Sequence, residues 1–598
     1  MARPGHCRPA RKSRFEVHLV IKKLFNCLVA PFLVLAAMLA LPLAPPASAQ
    51  SSSVVERLSP DTVLYMRWSG LSSLTAAQKT NHLLQLYIDP DFAPVREALA
   101  KSLQSGMRKK DARGPAIESA DLISFLDNSA VVGILARPPA DKEGQPPDLQ
   151  KLFSFFIVYD TAGKETLLKK VHEAMAANAA PGSTLSTYSF SGTAIEVRTS
   201  GKDVSYSAQI PGRYVMASQK ETVEDLITRL TAPGLPASAL TSTAEYKAAR
   251  PYIAADDAFE LFGRVPNYEQ WAPAAQRNNP AAHFFHDLHP EKIHVLALGA
   301  NFSGETTRVR AAVLGDTSAG TLFDIAGASA ATFKTLPAVD AGPSFSISRI
   351  EYGAAYKLVR AAIDDSLTPQ QQQAVTMYET MARSFLGMPV EDAVALFNGE
   401  TASRSTVADD GAIQQTYVIT IHQQADILRV LRAAAGSKIV AEDSSGTTSY
   451  LDLAFPYKDP VSGTQRRKFY YLAVTPELLV AAPRKAIARE AIASFNAAPG
   501  AAPKGVSENP EWVKLRARLP EKLSGISGSD LIAIPWDKVI ANYIQQLNAG
   551  LQSAGQPPAA APAWLLSFKP ETVTRHIHVS ASGWWKDSNG AYLDSYIQ

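Results

Sequence analysis

Two patterns of hydrophobic and polar residues predict the secondary structure of this chain. Residues 186–197, "STYSFSGTAIEV", alternate at every second position, which is the period of a strand with one covered face. Residues 155–174, "FFIVYDTAGKETLLKKVHEA", form an apolar strand, a polar turn and a helix whose apolar residues lie three and four apart. Together they predict an α+β fold with helices packed on one face of a mostly antiparallel sheet. Strand-to-helix units of this kind could also indicate a parallel sheet, but the hairpin-like strands between them argue against it.

Comparison of the chain with itself predicts an internal duplication. Residues 121–130, "DLISFLDNSA", align without gaps on residues 392–401, "DAVALFNGET". Residues 206–220, "YSAQIPGRYVMASQK", align in the same way on residues 471–485, "YLAVTPELLVAAPRK". Five such matches follow one another in the same order, which chance similarity does not explain. We therefore predict two tandem homologous copies, each a mostly antiparallel sheet with helices packed on one face.

The N-terminus has the organisation of a secretory signal peptide. Residues 1–23 carry seven basic residues and one acidic residue, and an apolar run follows at residues 24–44. Small residues then stand at Ala47 and Ala49, so cleavage is expected after Ala49. The alternative is an uncleaved segment that anchors the protein in the inner membrane, because the run approaches spanning length. Its prolines favour cleavage, and we predict a periplasmic or secreted protein.

The predicted organisation therefore has four parts. They are a secretory signal peptide (1–49), α+β repeat copy one (54–316), a linker (317–336) and α+β repeat copy two (337–598).

Removal of the leader changes the charge and the cysteine content. Lys plus Arg falls from 59 to 52 and Asp plus Glu from 56 to 55, so the formal charge changes from +3 to −3. The basic balance therefore belongs to the leader and does not indicate nucleic-acid binding. Cys7 and Cys27 are the only two cysteines, and both lie in the leader. The mature chain is thus expected to have no disulfide, no thiol nucleophile and no Cys-ligated metal.

Several structural motifs resemble those of a known family. Residues 58–68, "LSPDTVLYMRW", place a Pro-Asp-Thr opener before an apolar strand, and residues 210–227 read "IPGRYVMASQKETVEDLI". In this order they resemble an exported bacterial family of unknown function whose domain opens with a Pro-Ala-Asp-Thr-like motif. Copy two departs from the opener, with only "LPAVDAG" at residues 336–342. The resemblance implies an envelope or secreted location and no established activity.

The motifs of common enzyme classes do not occur in the sequence. There is no H-E-x-x-H, no G-x-S-x-G and no P-loop. Paired carboxylates occur at residues 254–259, "AADDAF", and 362–367, "AIDDSL", where we predict turns and helix ends. Residues 466–471, "RRKFYY", mix charge and aromatic rings, and we predict the start of a strand and no nucleic-acid site. No catalytic and no cofactor-binding residue is therefore assigned.

A histidine cluster is the one candidate for metal chemistry. Its members His283, His286, His289 and His294 fall within "AHFFHDLHPEKIH". On a helix, residues three apart advance by about 300°, so three of them do not converge on one ion. Pro290 would also end such a helix directly after His289. The aligned residues of copy two lack the imidazoles, so we predict solvated side chains and no metal, with a metal site particular to copy one as the alternative.

These observations predict an exported protein with a non-catalytic role. We expect a binding or scaffold protein of the bacterial envelope, whose partner is an unknown envelope component or protein. Nucleic acid is not expected as a partner, and no membrane span is expected in the mature chain. Two alternatives stay open: a carrier for lipid or another apolar ligand, and an exported hydrolase without a recognisable motif.

Overall fold

The structure is a computed structural model. The residues it describes are 52–107, 118–136, 152–177, 183–201, 203–254, 256–264, 292–318, 320–458, 464–498, 505–553 and 569–598. The α-helices of these residues are α1 (Ser52–Val55), α2 (Ala76–Lys79), α3 (His82–Ile88), α4 (Ala93–Met107), α5 (Ser119–Ser124), α6 (Glu165–Ala177), α7 (Lys220–Thr231), α8 (Ala244–Ala249), α9 (Leu336–Val339), α10 (Tyr352–Ser366), α11 (Pro369–Leu386), α12 (Val390–Ala395), α13 (Gln424–Ala435), α14 (Lys485–Phe495), α15 (Pro510–Arg516), α16 (Trp536–Ser553) and α17 (Pro570–His576).

The strands of the same residues are β1 (Thr62–Trp68), β2 (Ala130–Ala136), β3 (Phe153–Asp160), β4 (Thr184–Phe190), β5 (Thr193–Ser200), β6 (Asp203–Ile210), β7 (Arg213–Ala217), β8 (Phe259–Arg264), β9 (Ile293–Ser303), β10 (Thr306–Gly315), β11 (Ser344–Ile350), β12 (Gly399–Val407), β13 (Ile413–Thr420), β14 (Ile439–Ser445), β15 (Thr448–Lys458), β16 (Gln465–Val474), β17 (Leu478–Ala482), β18 (Gly525–Asp530), β19 (Val579–Asp587) and β20 (Gly590–Ile597).

In the described part of the chain, 20 strands form one continuous sheet. Every pairing between neighbouring strands is antiparallel, and the order across the sheet is β4-β5-β6-β7-β3-β2-β1-β8-β9-β10-β20-β19-β18-β11-β12-β13-β17-β16-β15-β14. None of the described helices is long and apolar enough to cross a membrane.

This sheet corrects the predicted fold class. We predicted an α+β fold of two tandem copies, each with its own sheet, and that prediction is wrong. The pairing of β10 with β20 runs from Thr307↔Ile597 to Leu314↔Gly590 and joins all the strands into one sheet. Self-comparison detects similar local patterns and carries no information on which distant strands pair. Without β20, β10 would be an edge strand with a row of unsatisfied N–H and C=O groups, and the pairing satisfies them. The boundaries proposed for the linker stay predictions.

The hydrophobic core also continues across the β10–β20 junction. Tyr592 on β20 packs in one buried cluster with Tyr65 of β1, and Tyr596 on the same strand packs in a second cluster with Phe345 of β11. Trp585 of β19 packs against both clusters. Because one strand supplies side chains to both clusters, the packing is not divided at this point of the sheet.

The alternating stretch 186–197 is a hairpin and not a single strand. β4 and β5 pair from Thr184↔Thr199 to Phe190↔Thr193, and Ser191 and Gly192 connect them with φ angles of 49° and 78°. A two-residue connection with positive φ at both positions has the twist of a type I′ turn, which suits a hairpin. The alternation of apolar and polar residues continues through such a short turn, so the alternation alone did not show that the stretch contains a turn.

Candidate functional site

The predicted histidine cluster falls mostly outside the described residues. His283, His286 and His289 belong to residues 265–291, which the structure does not describe, and His294 is exposed on β9. Among the residues that are described, no group of three or more His, Cys, Asp or Glu side chains is placed to hold a metal ion. Our expectation for the cluster, solvated side chains without a metal, stays a prediction.

The two carboxylate pairs have different surroundings. Asp364 forms an ion pair with Arg360, one turn earlier on α10. Asp257 does accept a turn hydrogen bond, from the backbone N–H of Ala254 at 2.6 Å. It is also buried, and Arg310 donates to its two oxygens at 2.9 and 3.1 Å. A turn is thus only part of the role of Asp257, which belongs to a charged network at the centre of the sheet.

A row of four charged residues and one glycine crosses five adjacent strands at one level of the sheet. The strand registers place Arg67 of β1 opposite Glu260 of β8, Glu260 opposite Gly299 of β9, Gly299 opposite Arg310 of β10, and Arg310 opposite Asp594 of β20. Residues directly opposite each other point to the same face, so the row lies on one side of the sheet. We call these five residues the charged row.

Gly299 leaves the space that Asp257 needs to join this network. A Cβ at this position would overlap the Oδ2 atom of Asp257 and lie 2.5 Å from the backbone oxygen of Tyr252. The absence of a side chain on β9 lets the Asp257 carboxylate sit over the strand and reach Arg310. The row therefore depends on a glycine as much as on its charges.

Arg67 and Glu260 form the most buried ion pair of the charged row. The distance between Arg67 Nη2 and Glu260 Oε1 is 2.6 Å, and the two side chains are 2% and 3% exposed. Arg67 Nη2 also donates to the backbone oxygen of Asp257 at 2.9 Å, and the hydroxyl of Tyr65 donates to Glu260 Oε2 at 3.1 Å. Further hydrogen bonds offset part of the cost of burying such an ion pair, and here each of the two groups forms one in addition to the pair itself.

Helix α8 covers the tyrosine end of this network. The side chain of Thr243 caps the helix by accepting a hydrogen bond from the backbone N–H of Tyr246 at 3.3 Å. This cap fixes the start of the helix and places Tyr246 in its first turn. The Tyr246 ring lies 5.5 Å from Phe262 and 6.5 Å from Tyr65, measured between centroids. Tyr65 and Phe262 are cross-strand partners and stack at 5.7 Å. These rings hold the two tyrosine hydroxyls next to Glu260.

Burial controls the acid-base properties of the network. It raises the pKa of Glu260, and the neighbouring Arg67 acts in the opposite direction. Burial likewise raises the pKa of Asp257, opposed by hydrogen bonding to Ala254 and by Arg310. The pKa of Tyr65 is raised well above its usual value, first by burial and then by the Glu260 carboxylate. Tyr65 is therefore a neutral hydrogen-bond donor throughout the physiological range.

A pocket of about 450 Å³ opens above the Arg67–Glu260 pair. We call it the Arg67 pocket, and its lining residues are Val55, Glu56, Arg67, Leu235, Thr241, Tyr246, Lys247, Arg250 and Glu260. The floor consists of the buried side chains Arg67, Tyr246 and Glu260, while Lys247 and Arg250 are exposed at the rim. Because Glu260 is already neutralised by Arg67, the lysine and arginine at the rim outnumber the one remaining carboxylate, Glu56.

A second, smaller pocket surrounds an ion pair between a half-buried arginine and a buried glutamate. It has a volume of about 290 Å³ and includes Arg349, Glu400 and His422 in its lining. Arg349 Nη2 lies 2.8 Å from Glu400 Oε1, and the other oxygen of Glu400 accepts from the N–H of Thr335 at 2.9 Å and from its hydroxyl at 3.0 Å. Both oxygens of Glu400 therefore have partners, one in Arg349 and the other in Thr335, the residue before α9. The pair fixes the start of α9, and the carboxylate is not free to bind a ligand.

Another cluster of titratable groups lies where α3 meets α17. Asp89 accepts hydrogen bonds from Arg575 at 2.7 Å and from His576 at 2.8 Å. The hydrogen bond from His576 is the main cause that lowers the pKa of Asp89. The rings of His82 and His578 lie 6.0 Å apart, and burial lowers the pKa of His82. This cluster joins segments of the chain that are almost 500 positions apart in sequence.

Sequence reasoning did not single out Arg67 and Glu260. Each one interrupts a strand of mostly apolar residues, "TVLYMRW" in β1 and "FELFGR" in β8. The residues two positions before Arg67 and two positions after Glu260, Tyr65 and Phe262, are buried, so the charged residues also face the core. Two opposite charges at inward positions of apolar strands are a signal for a buried pair, because a lone buried charge is costly. The signal does not say that the two strands are adjacent.

Comparison with known proteins finds no matching family model, no matching curated protein and no matching solved structure. The resemblance to the exported family of unknown function therefore stays a prediction.

Proposed function

We propose that the protein is a non-catalytic binding protein of the bacterial envelope, and that the Arg67 pocket holds a small organic anion. The observation that carries the proposal is the pocket of about 450 Å³ whose floor is a buried, hydrogen-bonded ion pair. Pockets for small ligands commonly have volumes of about 300–1,000 Å³ and a few fixed polar groups. The pocket offers such groups in Tyr246 on the floor and in Lys247 and Arg250 at the rim.

The charged residues at the rim of the pocket determine which sign of ligand charge the pocket favours. Lys247 and Arg250 are exposed there together with Glu56, so an entering ligand meets an excess of positive charge. A carboxylate or phosphate group near Lys247 would gain from this charge, whereas a long apolar chain would meet charged side chains on the floor. The pocket therefore favours a small anion over the apolar ligand of the carrier hypothesis.

The test is a thermal-shift screen of the purified protein against small organic anions, small organic cations, neutral polar molecules and fatty acids. A ligand at 100 times its Kd stabilises a protein by about 2.7 kcal/mol, which is readily measured as a rise in Tm. We expect anions to raise the Tm of the wild-type protein, and Lys247→Glu to abolish that rise. The matched control is Lys514→Glu, because Lys514 is also an exposed helical lysine and lines neither pocket.

Three results would contradict the proposal. A rise in Tm with fatty acids alone would favour the apolar carrier. Turnover of ester, peptide or glycan substrates would favour the exported hydrolase. An equal loss of the anion effect in Lys247→Glu and in Lys514→Glu would mean that the anions bind outside the Arg67 pocket.

A further inference from the structure

The hairpin of β15 and β16 extends beyond the strands on either side of it. β14 pairs with β15 only as far as Leu453, and β17 pairs with β16 only between Tyr471 and Val474. From there the two strands pair with each other alone, from Ala454↔Phe469 to Lys458↔Gln465. We call residues 454–458 and 465–469 the outer hairpin. Among the described strands, no third strand covers it.

One face of the outer hairpin combines aromatic rings with cationic groups. Cross-strand partners share a face, and the register pairs Phe455 with Lys468 and Tyr457 with Arg466. Tyr470 continues this face and meets the Phe455 ring edge-on, with 5.9 Å between centroids. The face therefore presents three rings and two basic side chains together.

Two lysine ammonium groups lie over these rings. The Nζ atom of Lys468 lies 5.2 Å from the centroid of Tyr470, and the Nζ atom of Lys438 lies 5.8 Å from that of Phe455. A cation held over a ring needs no carboxylate to be stabilised, so its charge stays available to an anionic surface. The rings thus place positive charge at the surface of the hairpin.

The aromatic side chains of the outer hairpin are exposed. Phe455, Tyr457 and Phe469 are 37%, 40% and 45% exposed, although large aromatic side chains usually lie in a core. Phe469 lies on the other face, because its partner across the strands is Ala454. Exposed rings on both faces of the outer hairpin can enter the region between lipid headgroups and acyl chains.

The charge of this segment is strongly positive on an acidic mature chain. Residues 454–469 contain four basic residues against one acidic residue, Asp459. The outer hairpin itself has no acidic residue, and in the described part of the chain Arg467 and Lys468 form no ion pair with a carboxylate. Positive charge is therefore concentrated at one projection of the molecule.

We propose that the outer hairpin docks on an anionic phospholipid surface. Aromatic rings favour the boundary between lipid headgroups and acyl chains, and basic side chains beside them are attracted by anionic headgroups. Because no third described strand pairs with the outer hairpin, its residues can reach a bilayer without displacing other strands. The proposed contact is peripheral, at the level of the lipid headgroups.

This proposal is independent of the Arg67 pocket and goes beyond the proposed function. Single-stranded nucleic acid also binds to basic and aromatic surfaces. The predicted mature chain, however, has a formal charge of −3, and its predicted leader would direct it to the envelope, where phospholipid surfaces are present. We therefore commit to the lipid surface, and nucleic acid is one of the outcomes of the test.

The test is co-sedimentation of the purified protein with vesicles of phosphatidylcholine alone or with 30% phosphatidylglycerol. We expect binding to the anionic vesicles only, with loss of binding at high salt. Each basic residue near an anionic surface contributes about fivefold to the binding constant, so Arg467→Gln/Lys468→Gln is expected to weaken binding about 25-fold. Phe455→Ser/Tyr457→Ser tests the rings separately.

Controls keep the test independent of folding. All four substituted side chains are exposed, and each variant should unfold at the temperature of the wild-type protein. Lys514→Gln is the matched control for loss of an exposed charge and should bind the vesicles as wild type does. The proposal is overturned if the wild-type protein does not sediment with anionic vesicles or if the hairpin variants bind as tightly as it does. It is also overturned if a single-stranded oligonucleotide binds more tightly and displaces the vesicles.

Discussion

The substitution Glu260→Gln tests whether the buried ion pair at the centre of the sheet is formed as described. It keeps the shape of the side chain and removes the negative charge 2.6 Å from Arg67. Because both side chains are almost fully buried, the guanidinium of Arg67 cannot recover its solvation from water. Breaking a buried ion pair by removing one charge costs about 3–5 kcal/mol, and we expect a loss of unfolding free energy in this range.

The position of the pair sets this magnitude. Lys101 and Glu97 form an ion pair one helical turn apart on α4, where their side chains are 67% and 62% exposed. An exposed helical pair contributes about 0.3–0.5 kcal/mol, so Glu97→Gln is a control with the same chemical change and a much smaller expected effect. Comparison of the two glutamines separates the effect of burial from that of the substitution.

The assay is equilibrium unfolding in urea of the wild-type protein, the two single variants and the double variant Arg67→Met/Glu260→Leu. We expect the double variant to be more stable than Glu260→Gln, because no buried charge is left behind. A loss below about 1 kcal/mol for Glu260→Gln would refute the reasoning, because a loss that small is typical of an ion pair that water solvates.

Two further substitutions test Gly299 in the charged row and Asp89 in the cluster between α3 and α17. Gly299→Ala should lower the unfolding free energy by about 1–3 kcal/mol in the same assay, because the added Cβ would overlap the carboxylate of Asp257. The control is Gly234→Ala, where an added Cβ meets no atom within 4 Å, and it should change the unfolding free energy by less than about 0.5 kcal/mol. Asp89→Asn should destabilise the protein near pH 5, and this difference should shrink as pH falls from the ordinary carboxyl value of 3.8 through the lowered pKa of folded Asp89. A difference that does not depend on pH would contradict the stabilising role of its carboxylate.

Local structure was predictable from the residues where one pattern covers one element. The stretch 155–174 predicts a strand, a turn and a helix, and the structure has β3 at Phe153–Asp160 and α6 at Glu165–Ala177. Here the strand period and the helix period are separated by the polar residues of the turn. The information needed lies within about 25 consecutive residues.

Pairings between distant segments were not predictable in this way. β10 and β20 are separated by more than 270 positions, and their apolar alternation fits many possible partners. The same holds for Arg67 and Glu260, which are 193 positions apart, and it explains why neither the continuous sheet nor the pocket floor was predicted. A charge in an apolar strand shows that a partner is needed, but the register that supplies the partner belongs to the tertiary structure.

The most direct test of the central claim is a crystal structure of the protein with the anion that raises its Tm most strongly. We expect density for the anion in the Arg67 pocket, with its charged group next to Lys247 or Arg250 and with the Arg67–Glu260 pair intact beneath it. Density for the anion in the pocket around Arg349 and Glu400, or on the outer surface with the Arg67 pocket empty, would contradict it.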